Sequence, residues 1–133
     1  MAKKKIVCLV QARMNSTRLP GKILTEINGI PMINLQINIL KTLSLLDEIV
    51  VITTKNSSDD VLVRNLEKNK IKYFRGSENN VLERYFQSAT KFNADIIIRI
   101  TSDNPLIDIS ILEKIVNTIS KNDFDYVSNN LKR

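Results

Sequence analysis

The chain has 133 residues, of which 43% are hydrophobic and 26% are charged, and this length and balance are typical of one globular domain but not of two. It contains one cysteine and no histidine, which excludes an internal disulfide and the Ser-His and Cys-His nucleophile pairs, and favours carboxylate-bound Mg²⁺ over zinc for any metal. The net charge of +6 suits a phosphate-bearing partner, either a nucleotide or a nucleic acid, although an excess of surface lysines would give the same value.

The start of the chain has only part of the pattern of a secretory signal. Basic residues at Lys3–Lys5 precede an apolar run, but the run is too short, Gln11 and Arg13 interrupt it, and no small-residue cleavage site follows. No apolar run in the sequence approaches the length of a membrane span. We therefore expect a cytoplasmic protein with no membrane partner.

Five runs rich in apolar residues predict β-strands. The first run is continuous instead of alternating, which is typical of a strand covered on both faces, and it makes Cys8 a small buried hydrophobic residue. The second run, EIVVITT, is rich in β-branched residues. The predicted strands are Lys4–Gln11, Glu48–Thr54, Ile71–Phe74, Asp95–Thr101 and Phe124–Ser128.

A helix is predicted after each of the first four strands. Ile23–Asn28 is short and irregular, Gly29 gives a turn, and Pro31 suits the first turn of the first helix. The capping candidates for the other three are Ser57 or Ser58, Asn80 with Glu83, and Ser110 with Glu113. The helices are expected over Pro31–Ser44 and then as far as about Asn69, Phe92 and Lys121.

This alternation predicts an α/β fold. Repeated β-α units with right-handed crossovers give a mostly parallel sheet with helices on both faces, and hence three layers. In such sheets ligands bind beyond the carboxyl ends of the strands. The loops that follow the first, third and fourth strands should therefore converge on one rim, although they are far apart in the sequence.

The loop Gln11–Lys22 is the stretch richest in phosphate-seeking groups. It contains Arg13, Arg18 and Lys22 beside a Pro-Gly turn, and these side chains and the loop N–H groups can bind phosphates. The loop is not a P-loop, which needs a glycine where Ser16 stands and a serine or threonine where Ile23 stands. A solvated surface loop that happens to be basic is the alternative interpretation.

Polar residues on the other two loops are open to two interpretations each. Asp103 follows the fourth predicted strand, as a metal ligand would, but aspartate is also common in turns that precede a proline such as Pro105. Arg75 and Arg84 could contact a ligand or pair with a nearby acid. Arg99, inside the strand, is expected to be a paired structural arginine. The acids considered as partners of Arg75 and Arg84 are Glu78, Glu83 and Asp59.

Four stretches, in the same order, resemble the sugar cytidylyltransferases. They are Val10–Lys22, Val51–Thr54, Arg75–Ser77 with Val81–Tyr85, and Arg99–Leu106. The Gln-Ala-Arg start of the first is most similar to the branch that serves spore-coat polysaccharide biosynthesis, and the bacterial Kdo and acylneuraminate cytidylyltransferases have a similar loop. The resemblance covers essentially the whole chain and implies a Rossmann-like nucleotidyltransferase fold.

The resemblance also implies a reaction. Members of the family bind CTP with Mg²⁺, transfer CMP to a sugar hydroxyl and release pyrophosphate, here with an acidic sugar and for surface polysaccharide biosynthesis. Such a transfer needs positioning and charge neutralisation more than a covalent nucleophile, so the lack of histidine is no obstacle.

By the same analogy, individual residues receive roles. Arg13 and Lys22 would hold the triphosphate and act in catalysis, with Ser16 and Arg18 nearby, while Asp103 would hold Mg²⁺ across the α-phosphate as the third catalytic residue. The other residues implied to bind the nucleotide are Ala12, Arg75, Gly76, Ser77, Arg84 and Ser102, of which the loop at 75–77 and Arg84 would surround the cytosine and ribose.

The resemblance ends in a departure. Family members continue well beyond a strand like Tyr126–Asn130, and that portion supplies a second acidic metal ligand, much of the sugar pocket and commonly the contacts of a homodimer. We therefore expect residues 1–133 to be a single nucleotide-binding domain of a C-terminally truncated cytidylyltransferase. Three alternatives stay open: a non-catalytic nucleotide-binding module, a nucleotidyltransferase that uses another base, and an RNA-binding domain. The last is weakly supported, because the tyrosines are not interleaved with basic residues as a stacking platform.

Overall fold

A computed structural model of the chain describes residues 3–15, 20–102 and 106–128. Within these ranges the chain forms β1 Ile6–Gln11, β2 Glu26–Ile27, β3 Ile30–Pro31, α1 Met32–Leu40, β4 Glu48–Thr54, α2 Asp60–Lys68, β5 Lys72–Gly76, α3 Val81–Lys91, β6 Ile96–Thr101 and α4 Ile109–Lys121. Single turns of 3₁₀ helix at Lys22–Leu24 and Ser57–Asp59 precede β2 and α2. Four of the five predicted strands are thereby confirmed, with ends that differ by two residues at most.

The central sheet has four parallel strands in the order β5-β4-β1-β6. β1 lies between two partners, so that Leu9 stands opposite Val50 on one side and Arg99 on the other. Residues 7–10 have no solvent exposure at all. The prediction of a first strand covered on both faces is therefore confirmed.

Helices cover both faces of this sheet, and the three-layer prediction is confirmed. On one face, Cys8 and Val10 belong to a core that includes buried residues of α1, α2 and α4. On the other face, Val7 and Leu9 pack in a second core that includes Tyr85 of α3. β6 lies on the opposite side of β1 from β4 and β5. A right-handed crossover from β5 to β6 therefore places α3 on the face opposite α1 and α2.

The predicted fifth strand, Phe124–Ser128, is wrong. These residues make no ladder among the described residues, and Phe124 and Tyr126 are 55% and 80% exposed. With α4 and the outer edge of β6, the segment lines a cleft of about 590 Å³. Its aromatic and β-branched composition matches a pleated, half-buried surface, but such a preference yields a strand only where a partner strand is paired with it.

The stretch before α1 is more regular than predicted. β2 and β3 form a small antiparallel hairpin, with Ile27 opposite Ile30. Its turn is Asn28-Gly29, whose φ angles of 52° and 80° suit the two-residue turn for which Asn-Gly is a strong signal. Pro31 consequently lies in β3 and directly precedes α1, instead of belonging to the first helical turn.

The helix caps are only partly as predicted. The Asn80 side chain accepts a hydrogen bond from the Glu83 N–H at 3.0 Å, as expected. Ser57 and Ser58 do not cap α2, which begins after Asp59 without a side-chain cap, and Asn56 accepts the Ser58 N–H at 2.9 Å at the start of the preceding 3₁₀ turn. α4 begins at Ile109, since Asp108 accepts the N–H groups of the second and third helical residues. No helix within the described residues is both long and apolar enough to cross a membrane.

Cys8 provides a test of this core. Burial raises the pKa of its thiol to about 12, whereas the thiolate is the reactive form and an ordinary cysteine titrates near 8.5. At pH 8 the native chain should therefore react with a thiol reagent at least about ten times more slowly than the same chain in denaturant. Stopped-flow absorbance with a chromogenic disulfide measures both rates, and equal rates would contradict the buried strand.

Candidate functional site

β1, β5 and β6 end at one rim of the sheet, where the sequence predicts that their loops converge. Beyond the end of β1, the Ala12 N–H donates to the Ile52 carbonyl of β4 at 3.0 Å, and the Ser102 N–H donates back to the Gln11 carbonyl at 3.1 Å. On the other side, the Lys55 N–H donates to the Gly76 carbonyl at 3.2 Å. All four parallel strands therefore present their carboxyl ends to the same edge, where ligands of such sheets bind.

The basic loop is closed at its base. The Gly21 N–H donates to the Met14 carbonyl at 2.9 Å, which brings the residues after the loop back to those before it. Gly21 has a φ of 73°, a conformation that favours glycine. The closure places Lys22, which is half-buried, close in space to the chain that carries the exposed Arg13. Ala12 is buried beneath them, and Ser16 and Arg18 lie outside the described residues.

Asp59 anchors this loop to the sheet, and the sequence interpretation missed that role. Its carboxylate is 2% exposed. One oxygen accepts the Met14 N–H at 2.7 Å, and the other accepts the Thr54 hydroxyl, which in turn accepts the Asn56 N–H at 3.1 Å. A buried carboxylate is stable only when hydrogen bonds replace its water. The sequence showed an acid in the first turn of a helix, and no signal in it linked that acid to Met14.

Arg75 is committed to internal contacts. Its Nε donates to the Thr54 carbonyl at 2.8 Å, and its Nη2 donates to the Asn56 carbonyl at 2.9 Å. Its Nη1 forms an ion pair with Asp60 at 2.8 Å, and Asp60 was not among the acids considered as partners. The side chain thus ties the end of β5 to the segment that follows β4.

Arg84 fixes the loop that follows β5 through hydrogen bonds to its main chain. Its side chain is 0% exposed. Nε donates to the Ser77 carbonyl at 2.9 Å and Nη2 to the Glu78 carbonyl at 3.2 Å. Gly76 makes room for this arrangement, since a Cβ on that residue would lie 2.8 Å from the Arg84 Cγ. The predicted nucleotide-binding residues Gly76, Ser77 and Arg84 therefore form one packed unit, and Arg84 pairs with none of the acids considered.

A second set of polar contacts links β1 to α3 and to β6. The Tyr85 hydroxyl donates to the Gln11 side-chain oxygen at 3.2 Å. The Arg99 guanidinium lies 5.1 Å from the centroid of the Tyr85 ring, a cation–π contact. Burial raises the pKa of Tyr85, so its hydroxyl stays protonated and able to donate. Arg99 is thus paired, as expected, but with an aromatic ring.

The described acids of the rim are already engaged. Asp59 and Asp60 make the contacts above, and the Glu78 carboxylate accepts from the Asn56 side chain at 2.9 Å. Within the described residues, no three metal-ligating side chains cluster together. Ser102, the last described residue before Asp103, is buried at the end of β6. Asp103 itself, the predicted Mg²⁺ ligand, lies outside the described residues.

Comparisons with known proteins agree on one family. A family model described as cytidylyltransferase matches residues 7–133. The spore coat polysaccharide biosynthesis protein SpsF of Bacillus subtilis is 31% identical over 125 residues, which are 91% of this chain and 52% of that protein. A cytidylyltransferase structure from Leptospira borgpetersenii superposes with a TM-score of 0.85 at 39% identity, over 90% of this chain and 50% of that one.

A further solved structure extends the comparison to a ligand complex. It is a CMP-2-keto-3-deoxy-manno-octonic acid synthetase complexed with CTP, similar with a TM-score of 0.77 at 25% identity. The match covers 88% of this chain and 48% of that one. The chain thus spans about half the length of each of these relatives. The matches confirm the resemblance to the spore-coat and Kdo branches and the nucleotidyltransferase fold that it implied.

Asp59 generates a stability prediction. Replacing Asp59 with asparagine removes the charge from two buried hydrogen bonds and turns one acceptor into a donor. We expect Asp59→Asn to lower the free energy of unfolding in urea by about 1.5–3 kcal/mol, the range for hydrogen bonds to charged groups. Hydrogen exchange at the Met14 amide should become faster, because its acceptor is weakened.

Asp60→Asn is the matched control. Asp60 is adjacent in sequence but half-exposed in its ion pair, and such pairs contribute about 0–1 kcal/mol. Equal losses in the two variants would show that Asp59 is no special anchor.

Proposed function

The chain belongs to the cytidylyltransferase family, and we propose that it forms the CTP-binding part of an enzyme that transfers CMP to a sugar hydroxyl with release of pyrophosphate. One observation carries the proposal. A basic loop, closed at its base and anchored by a buried carboxylate, stands at the ligand-binding rim of a parallel sheet. The chain spans about half the length of these relatives, so the reaction is proposed for this chain by analogy with them.

Arg13 and Lys22 are proposed to bind the triphosphate. Nucleotidyl transfer moves the α-phosphorus from the pyrophosphate to the acceptor hydroxyl, and charge accumulates on the departing phosphates. Cationic side chains held in place before the reaction stabilise that charge. The closure between Met14 and Gly21 holds Arg13 and Lys22 on the two sides of one loop, which supports this role. Ser16 and Arg18 stand between them in the sequence and are proposed to assist.

The loop that begins at Gly76 is proposed to receive the cytosine and ribose. Its main chain is held by Arg84 through two carbonyls, so that its N–H groups and the Ser77 hydroxyl keep a fixed position. Ala12 and Ser102 complete the proposed nucleotide-binding set as small residues buried at the rim. Arg75 contributes by fixing the loop from the side of β4.

Asp103 is proposed to hold Mg²⁺. The described acids of the rim are engaged by N–H, hydroxyl, amide or guanidinium groups, which leaves Asp103 as the carboxylate that directly follows β6 in the sequence. Magnesium needs only one or two protein carboxylates, with water and phosphate oxygens as the other ligands. When bound, it neutralises charge at the α-phosphate.

The acceptor is proposed to be an acidic sugar used in surface polysaccharide biosynthesis. Two relatives support this, since one is a spore coat polysaccharide biosynthesis protein and the other is a synthetase for a keto-deoxy sugar acid. We also propose a cytoplasmic location, where nucleoside triphosphates are available, and a homodimeric assembly.

The choice of base tests the proposal. CTP should raise the melting temperature more than UTP, GTP or ATP. The shift is measurable, because a ligand at ~100 times its Kd adds about 2.7 kcal/mol to the free energy of unfolding. Differential scanning fluorimetry with and without Mg²⁺ measures this, and pyrophosphate release with CTP and acidic sugars measures transfer. Equal shifts for all four nucleotides would reduce the site to a general phosphate site. RNA binding that nucleotides do not compete with would also contradict the proposal.

Asp103→Asn tests the metal. The asparagine keeps the side-chain shape and turn preference but removes the charge, so it should abolish the Mg²⁺-dependent part of CTP affinity and leave the metal-free part nearly unchanged. Titration calorimetry with and without Mg²⁺ separates the two parts. Asp108→Asn is the control, since asparagine caps a helix as well as aspartate does. The same Mg²⁺ dependence in the Asp103 variant and the parent would leave Asp103 as a turn residue only.

A further inference from the structure

Arg84 has a donor that the protein does not use. Its Nε and Nη2 each donate to a main-chain carbonyl. Its Nη1 is buried and has no hydrogen-bond partner within residues 3–15, 20–102 and 106–128. An unpaired polar group shielded from water destabilises a fold, and the effect is larger when the group carries charge. The loop-holding role accounts for two of the three nitrogens only.

No carboxylate forms a salt bridge with Arg84 within the described residues. Burial lowers the pKa of Arg84 and the positive charge of Arg13 on the neighbouring loop lowers it further, while the nearby Asp59 and Glu78 offset this only in part. An arginine stays protonated at any ordinary pH. Two positive charges are therefore held near each other at the rim, one buried and one exposed.

Gly76 shows that this position is built into the fold. Its φ is not positive, so glycine is not required there by the backbone conformation. The close approach of Arg84 is what requires it, because a Cβ would meet the Arg84 Cγ at 2.8 Å and the Phe74 ring at 3.1 Å. Gly76, the third glycine of the sequence, therefore lies where the buried Arg84 side chain packs against the end of β5.

We propose that Arg84 binds the ligand directly, with its Nη1 donating to a phosphate oxygen that Arg13 contacts from the other side. This rests on the proposed function and moves Arg84 from the surroundings of the base to the polyphosphate. A neutral carbonyl of the base would satisfy the N–H group but would not offset the repulsion between the two guanidinium groups, whereas an anionic oxygen does both. Because Nη1 is shielded from solvent, binding of the oxygen accompanies a local shift of the residues around it.

Inorganic pyrophosphate is the probe, because it carries the anion without the base or ribose. Titration calorimetry is performed on the parent chain, on Arg84→Gln and on Arg84→Lys, with Arg64→Ala, an exposed arginine of α2, as the matched control. We expect Arg84→Gln to weaken pyrophosphate binding by about 10- to 100-fold, the loss of one charged hydrogen bond. Arg84→Lys should keep part of the affinity, since it keeps the charge but not the forked donors.

Cytidine separates ligand contact from a merely structural role. If Arg84 only positioned the loop, cytidine and pyrophosphate would lose affinity together, and this result would overturn the proposal. We expect cytidine affinity to change less than about 3-fold while pyrophosphate affinity falls. Circular dichroism and melting check that each variant folds. Arg13→Ala, alone and combined with Arg84→Gln or Arg84→Lys, should show coupled effects on pyrophosphate, because both residues touch one oxygen.

The outcomes also separate this inference from the proposed function. Loss of pyrophosphate binding in Arg84→Gln without any preference for CTP would support the anion site and contradict the cytidylyltransferase proposal. A preference for CTP with unchanged pyrophosphate affinity in that variant would do the reverse. A parent chain that binds no pyrophosphate would overturn the anion site.

Discussion

The parallel pairing of β1 between β4 and β6 is the constraint on which the rest of the structure depends. β1 is covered on both faces and hydrogen-bonded along both edges, so it has no freedom to shift in register without moving apolar side chains into the wrong layer. Since its neighbours run parallel to it, the loop that follows it is carried to the same edge as theirs. The position of the basic loop is thus a consequence of core packing.

Buried and half-buried charges then convert this edge into a fixed site. Asp59, Arg75 and Arg84 each satisfy main-chain groups of segments outside the strands and helices. Burial of a charge is costly, and it is sustained only where several hydrogen bonds replace water. The exposed Arg13 and the half-buried Lys22 are held by backbone closure and by this scaffold, and neither forms an ion pair with another described residue. A site made in this way presents positive charge to a ligand with little reorganisation.

Arg75 and Arg84 differ in whether all of their guanidinium nitrogens are paired within the protein. Arg75 lies in β5 and donates to two carbonyls at and after the end of β4. Arg84 lies in α3 and donates to two carbonyls of the loop that follows β5. Arg75 uses all of its nitrogens within the protein, including an ion pair with Asp60. Arg84 is more deeply buried yet keeps one nitrogen unpaired. The more buried residue is therefore the better candidate for ligand contact, contrary to the usual association of binding with exposure.

The sequence by itself determined the α/β fold, the parallel sheet and the rim at which the basic loop lies. These follow from local patterns: continuous apolar runs, an Asn80 cap and strand-loop-helix repeats. Tertiary structure alone decided that Phe124–Ser128 is no strand, because a strand needs a neighbour to pair with, and which acid pairs with Arg75. It also decided that Asp59 anchors Met14, which lies 45 positions earlier. The partner of a charged side chain depends on which distant loops packing brings together, and no periodicity in the sequence records that distance.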